Sequence, residues 1–236
     1  MAAGAATLDV VHLPGLTPYA PMWERQRSLA AARQRGEIGD LLLLLEHPPV
    51  YTNGRRGRRE HLLVSEATLA TLGASYLEVD RGGDITYHGP GQLVGYPIVD
   101  LARAGLGVRA YVRILEEALL QTAAHFGVDA AIIPGFPGLW VGEAKLGAIG
   151  VKVSRGVAYH GFALNVDPDL SYFRHIVACG LAGRSVTSLA RVRGRPVTVG
   201  DVVSVCARAF ADRFGVALRW RPAPTYQPSP AEERPG

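Results

Sequence analysis

Residues 81–96 read RGGDITYHGPGQLVGY and set Thr86, Tyr87 and His88 between two breaks, Gly82-Gly83 and Gly89-Pro90-Gly91. Glycine supplies backbone freedom and proline a fixed φ, so both breaks are turn chemistry. Glycines also remove side chains where a ligand must come close to the backbone, while Thr86, Tyr87 and His88 are polar groups able to orient it. A hairpin carrying a satisfied histidine accounts for the same residues equally well. Apolar runs flank the stretch on both sides. Residues 75–80 (SYLEVD) read as a strand leading in, and residues 92–99 (QLVGYPIV) as a strand leading out.

The rest of the chain alternates in the same way. Residues 7–13 read as a first strand and residues 19–35 as a helix closed by Gly36. Residues 40–46 form a continuous apolar run of strand length, which predicts burial on both faces. Pro48-Pro49 breaks that run, residues 50–52 are extended, and residues 60–72 read as a helix ended by Gly73. In residues 108–126, Val112, Leu115, Leu119 and Ala123 recur at helical spacing, so this helix lies on a sheet. Residues 131–166 form a strand meander whose extended runs, 138–141, 144–153 and 157–166, are interrupted at Gly142 and at Ser154-Arg155-Gly156. A helical turn over 170–175, a loop over 176–183, a short helix opening at 187–190 and a longer helix over 199–214 complete the pattern. Residues 221–236 hold five prolines without periodicity and read as a flexible tail. The expected class is α/β: a mixed central β-sheet flanked by helices, in one domain over residues 1–220.

Composition narrows the function. With 48% hydrophobic and 19% charged residues, the chain buries a sizeable core and is no disordered polymer. The apolar run of residues 41–45 is far too short to span a bilayer, and the N-terminus lacks a basic segment followed by an apolar core. A cytoplasmic protein without a membrane partner is expected. The net charge of +4 comes from 23 arginines and only two lysines, Lys145 and Lys152. A lysine kept where arginine serves everywhere else suggests amine chemistry, because only lysine readily gives up its proton. Four arginines crowd residues 53–59, NGRRGRR. A solvated loop is the ordinary reading and a docking patch for an acidic partner the sharper one. No interleaved aromatics support a nucleic-acid partner.

Two cysteines compete as nucleophile. Cys206 sits on the apolar stripe of the last helix, the usual place of a core residue. Cys179 precedes Gly180 in an expected loop, where a substrate carbonyl could reach it. A thiol needs a partner that favours its thiolate, and His88, His160 and Lys145 are the candidates. Lys145 lies in EAKLGAIG (143–150), whose two glycines on one strand argue for a close neighbour or ligand. An ammonium within about 4 to 6 Å would lower the thiol pKa. No metal-ligand spacing or cofactor motif is present, so no metal and no cofactor are expected.

Taken together, RGGDITYHGPGQLVGYP, AKLGAIGVKV, YHGFALNV and ACG strongly resemble the lipoyl(octanoyl) transferases, a family within the biotin/lipoate protein ligase superfamily. The resemblance runs in order from about residue 42 to residue 189. It implies an α/β catalytic domain of the biotin/lipoate ligase type. It also implies transfer of an octanoyl group from octanoyl-acyl carrier protein to a lysine on lipoyl domains of 2-oxoacid dehydrogenases and the glycine cleavage H protein. Carried over by position, Cys179 would be the acyl-thioester nucleophile and Lys145 its proton-handling partner. Arg81, Gly82, Gly83, Asp84, Ile85, Thr86, Tyr87 and His88 would line the acyl substrate, with Ala148, Ile149, Gly150, Gly161, Phe162 and Ala163. His88 and Tyr96 would then shape the site, not cut the bond. Ala178 departs from the proline that many members place before the cysteine. The rival readings are an ATP-dependent lipoate or biotin protein ligase and a non-catalytic relative that binds lipoyl domains or the carrier protein.

Overall fold

A computed structural model describes residues 6–177 and 185–223. Eight strands form the main sheet: β1 (Thr7–Leu16), β2 (Asp40–Glu46), β6 (Gln92–Asp100), β7 (Ala131–Ile133), β8 (Phe136–Val141), β9 (Ala144–Ser154), β10 (Val157–Asn165) and β11 (Ala217–Arg221). Their order is β11-β1-β2-β6-β10-β9-β8-β7. The first three are parallel and the remaining pairs antiparallel, so the sheet is mixed, as expected. A second sheet of order β4-β3-β5 joins β3 (Val50–Asn53), β4 (Ser75–Glu78) and β5 (Thr86–His88).

Strand β2 shows why its run is apolar throughout. Leu42 and Leu44 face one core while Leu43 and Leu45 face another. The first core, to which the short α4 (Leu189–Arg193) adds Leu189 and Ala190, lies under α3 (Val108–His125) and α5 (Val199–Phe214), which pack on each other. The second lies under α1 (Tyr19–Gln34), which crosses β6 and β10. Each helix has a sequence cause. Helix α1 buries Tyr19, Met22, Gln26, Ala30 and Arg33, a stripe at three- and four-residue steps. Helix α5 starts at a reciprocal cap, in which the Thr198 side chain accepts from Asp201 N–H and the Asp201 carboxylate from Thr198 N–H. It stops at Gly215, whose φ of 71° only glycine adopts cheaply.

Three expectations change. Residues 60–72 are not one helix. A single 3-10 turn (Arg59–His61) leads into extended backbone at Leu62, which bridges Ile176, and Ser65 then caps the short α2 (Glu66–Thr71). Tertiary pairing of Leu62 overrides local propensity there. The tail does not begin at residue 221, because Arg221 closes β11 opposite Val11. Arg219 and Arg221 both bond Asp9, so this edge strand is held by charge, and its mostly exposed residues carry little apolar signal. Residues 224–236 lie outside the described residues, as do 1–5 and 178–184. Finally, β5 is a three-residue strand, too short for periodicity to reveal.

Candidate active site

A cleft opens where β9 and β10 of the main sheet meet the loop before β5. Three successive cross-strand pairs build its floor: Ala148 with Ala163, Ile149 with Phe162, and Gly150 with Gly161. The glycine pair is required by contact. A Cβ on Gly161 would lie 2.2 Å from Gly95 O, and one on Gly150 would lie 2.9 Å from Gly82 O. Gly82 N–H in turn donates to Val151 O at 2.9 Å, which docks the RGGD loop flat against β9.

The opposite wall comes from that loop and β5. Arg81 is 7% exposed, and its guanidinium is spent on protein. It donates to Thr52 O (2.5 Å), to Thr52 Oγ1 (2.8 Å) and to Gly82 O (3.0 Å). Asp84 faces the cleft with its carboxylate against His61 Nδ1 (2.8 Å). Strand alternation then divides the next four residues. Thr86 and His88 line the cleft, whereas Ile85 and Tyr87 turn into a separate core with Tyr51, Leu69 and Ile176. Ile85 and Tyr87, expected from the sequence along the acyl site, thus stand on the face of β5 turned away from this cleft. Gly82 serves as the docking point onto β9.

His88 begins a buried hydrogen-bond chain. Its Nδ1 lies 2.8 Å from Gln92 Oε1, while Gln92 Nε2 donates to Asn165 Oδ1 (2.9 Å). The Gln92 amide is thereby oriented, and Nδ1 of His88 must carry the proton. Asn165 Nδ2 donates to Thr187 O (3.0 Å), and Thr187 N–H donates to Lys145 O (2.9 Å). The glycine-rich stretch is thus wired to the backbone of Lys145. Burial, reinforced by the nearby Arg81 cation, holds His88 well below the usual histidine range, so it is neutral. His47, behind it, is pushed down to about 4 by burial. It donates from Nδ1 to Thr17 O (2.5 Å) and accepts at Nε2 from Tyr96 O–H (2.7 Å).

Lys145 is half-buried near the start of β9, with Nζ 5.0 Å from the Trp140 ring centroid. Gly138 lies beneath it at φ 125°, and a Cβ there would sit 3.0 Å from Lys145 Cε. Lys145 N–H donates to Ser185 O at 2.9 Å, so this lysine pins the chain just after residues 178–184. On the other flank Val177 N–H donates to His61 O at 2.8 Å. Cys179 itself lies outside the described residues. The second cysteine, Cys206, is fully buried among α3 and α5 residues, and burial pushes its thiol up to about 12. That leaves it inert at neutral pH.

The family model described as the lipoyl protein ligase A/B catalytic domain matches residues 18–211. The chain belongs to this family. Proteins named octanoyltransferase are similar to it over nearly their whole length. One, from Chloroflexus aurantiacus, is 51% identical over 212 residues, covering 89% of this chain and 95% of the relative. Another, from Acidobacterium capsulatum, is 48% identical over 232 residues, covering 92% and 94%. Among solved structures, a bi-partite lipoate protein ligase from Thermoplasma acidophilum superposes with a TM-score of 0.69 at 18% identity, covering 94% of this chain and 88% of that one. Lipoate-protein ligase A bound with ATP gives 0.63 at 17% identity, covering 94% and 90%. These two likenesses establish the shared fold.

In this lipoyl protein ligase A/B catalytic domain the cleft and the layer behind it also hold residues that sequence reasoning did not place there. Tyr19 stacks on His88 with ring centroids 5.7 Å apart, yet it reads as an ordinary first residue of a helix. Asp80 gathers the His160 ring, Tyr159 O–H and Trp23 N–H, although it reads as a strand end. His160, named only as a possible thiol partner, lines the cleft and bonds Asp80.

Proposed function

We propose that the protein is an octanoyltransferase of protein lipoylation, using Cys179 as nucleophile and Lys145 as its proton partner. The observation that carries this reading is the position of Lys145. Its backbone holds Ser185 on one side and Thr187 on the other, and through Thr187, Asn165 and Gln92 it is tied to His88 in the cleft wall. The only other thiol, Cys206, is walled into the core. A cleft of small residues beside a pinned lysine suits an acyl chain that must be held while its thioester is exchanged.

In this mechanism Lys145 takes the proton of Cys179, and the sulfur attacks the carbonyl carbon of octanoyl-acyl carrier protein. The new S–C bond forms, the carrier's S–C bond breaks, and the carrier sulfur leaves with the proton from Lys145. The unprotonated amine of a lysine on a lipoyl domain then attacks the acyl-enzyme. An amide forms, the Cys179 S–C bond breaks, and Lys145 passes the amine's proton to the departing sulfur. One thioester replaces another, so no ATP is consumed and no cofactor enters. Lipoyl domains of 2-oxoacid dehydrogenases and the glycine cleavage H protein are the proposed acceptors. Arg81, Asp84 and His88 stay bound to protein groups and shape the cleft around Ala148, Gly150 and Ala163.

Intact mass after incubation with octanoyl-acyl carrier protein, without ATP, tests the reading. An octanoyl adduct on wild type and on Cys206→Ser, absent from Cys179→Ser, is the expected result. An adduct that survives Cys179→Ser, or activity that requires ATP, would replace the transferase by a ligase mechanism.

A further inference from the structure

The arginine-rich loop, residues 54–59, is stitched into the rim of the cleft by its backbone. Arg55 N–H donates to Arg81 O and Arg56 N–H to Gly83 O, each at 3.0 Å, and Gly57 N–H closes a turn on Gly54 O at 2.9 Å. The two glycines are needed for this fit. A Cβ on Gly54 would meet Gly83 O at 2.5 Å, and one on Gly57 would meet Asn53 Oδ1 at 1.6 Å. Just beyond the loop, His61 holds the cleft carboxylate Asp84 through its ring and Val177 through its carbonyl, two residues before Cys179.

The four guanidinium groups are not equivalent. Arg58 pairs with Glu60 (3.1 Å), while Arg59 pairs with Glu66 (2.8 Å) and stacks on Tyr76 at 4.1 Å. Arg55 and Arg56 are exposed and form no ion pair among the described residues. A loop fixed by backbone bonds thus presents two cations, without an ion pair among the described residues, at the mouth of the acyl cleft. Guanidinium groups bind carboxylates in bidentate fashion, and a preorganised pair of them steers an acidic surface toward one spot.

We propose that Arg55 and Arg56 are the docking point for an acidic protein that delivers the acyl group as a thioester. This rests on the transferase reading above. The loop flanks the cleft wall and the Val177 side of residues 178–184, whereas Lys145 holds the Ser185 side. Two exposed guanidinium groups at the rim of the acyl cleft suit an acidic carrier whose thioester must reach that cleft. Single-stranded nucleic acid is disfavoured, because the ring at the loop, Tyr76, is already covered by Arg59.

The test combines binding with kinetics on the full chain. Labelled octanoyl-acyl carrier protein is titrated with wild type, with the Arg55→Glu/Arg56→Glu double variant and with Arg55→Lys/Arg56→Lys. The charge reversal is expected to raise Kd and KM for this donor at least tenfold, the lysine variant less than threefold. Raising salt should weaken donor binding by wild type but barely alter the reversed variant. Turnover of a small uncharged donor, octanoyl-N-acetylcysteamine, should stay within twofold in every variant. An unchanged Kd for the carrier protein, an equal loss with the small donor, or a KM effect confined to the lipoyl-domain acceptor overturns the docking assignment. Because binding is read separately from the Cys179 adduct, failure of the docking surface and failure of the transferase reading give different results.

Discussion

His160 donates its Nε2 proton to Asp80 Oδ1 across 2.9 Å, from a backbone held at φ 56°. A non-glycine residue in the left-handed region costs on the order of 1–3 kcal/mol and persists only where its surroundings fix it. Here the twist breaks strand alternation, so that the adjacent side chains of Tyr159 and His160 both reach Asp80. The His160 N–H is recovered by Gln26 Oε1 at 2.9 Å. Burial would raise the Asp80 carboxyl, but hydrogen bonds from His160, Tyr159 and Trp23 outweigh it and hold the group below the usual carboxylate range. Burial also lowers His160, so the contact is a neutral imidazole donating to a carboxylate.

Replacing Asp80 by Asn keeps the shape but swaps one acceptor oxygen for a donor, leaving a buried His160 or Tyr159 donor facing an N–H. The expected loss is about 1–3 kcal/mol of unfolding free energy in a urea titration. A loss below about 0.5 kcal/mol would mean that other contacts, not Asp80, fix the strained backbone.

The buried histidines set an acid limit. His47 has a folded-state value of about 4 against 6.5 for the free side chain, so the unfolded chain binds the extra proton. Stability is full above pH 6.5 and falls as the pH drops from there toward about 4, by up to about 1.4 kcal/mol per pH unit for this group. His88 and His160 push in the same direction. Urea titrations at pH 7 and pH 5 should show a clear loss in wild type and a smaller one in His47→Gln. Equal losses in both proteins would remove His47 as a source.

Gly161 meets Gly95 O at 2.2 Å and Pro97 Cδ at 2.6 Å once a Cβ is added, so Gly161→Ala forces β10 away from β6. Destabilisation of at least about 1–3 kcal/mol is expected, together with loss of octanoyl loading. Gly39→Ala is the control, since nothing lies within 4 Å of its Cβ. Calorimetry should show a lowered Tm for the first variant and none for the second.

Lys145→Arg retains a cation beside Trp140 but cannot pass a proton at neutral pH. Turnover should fall by about 10²–10⁴-fold, the usual worth of a positioned acid or base, with little change in Tm. Near-normal turnover would remove Lys145 from the proton-transfer role.

Much of this molecule was legible in order along the chain. The helix over 199–214 and the strand over 40–46 emerge with the bounds read from sequence, because caps and a two-faced apolar run are local signals. Strand β11 escaped because an edge strand held by Asp9 shows no apolar alternation. That Ile85 and Tyr87 pack into a separate core was not legible, because a motif names residues without saying which way alternate side chains point.

By itself the sequence determined the α/β class and the family, since glycines, caps and apolar periodicity act over a few neighbours. Only the tertiary structure decided which residues share a cleft. The pairing of Gly150 with Gly161, the path from His88 to Lys145 and the arginine loop bonded to the RGGD wall all join positions distant in the chain. Such contacts depend on how strands register and helices cover them, and no local pattern encodes that.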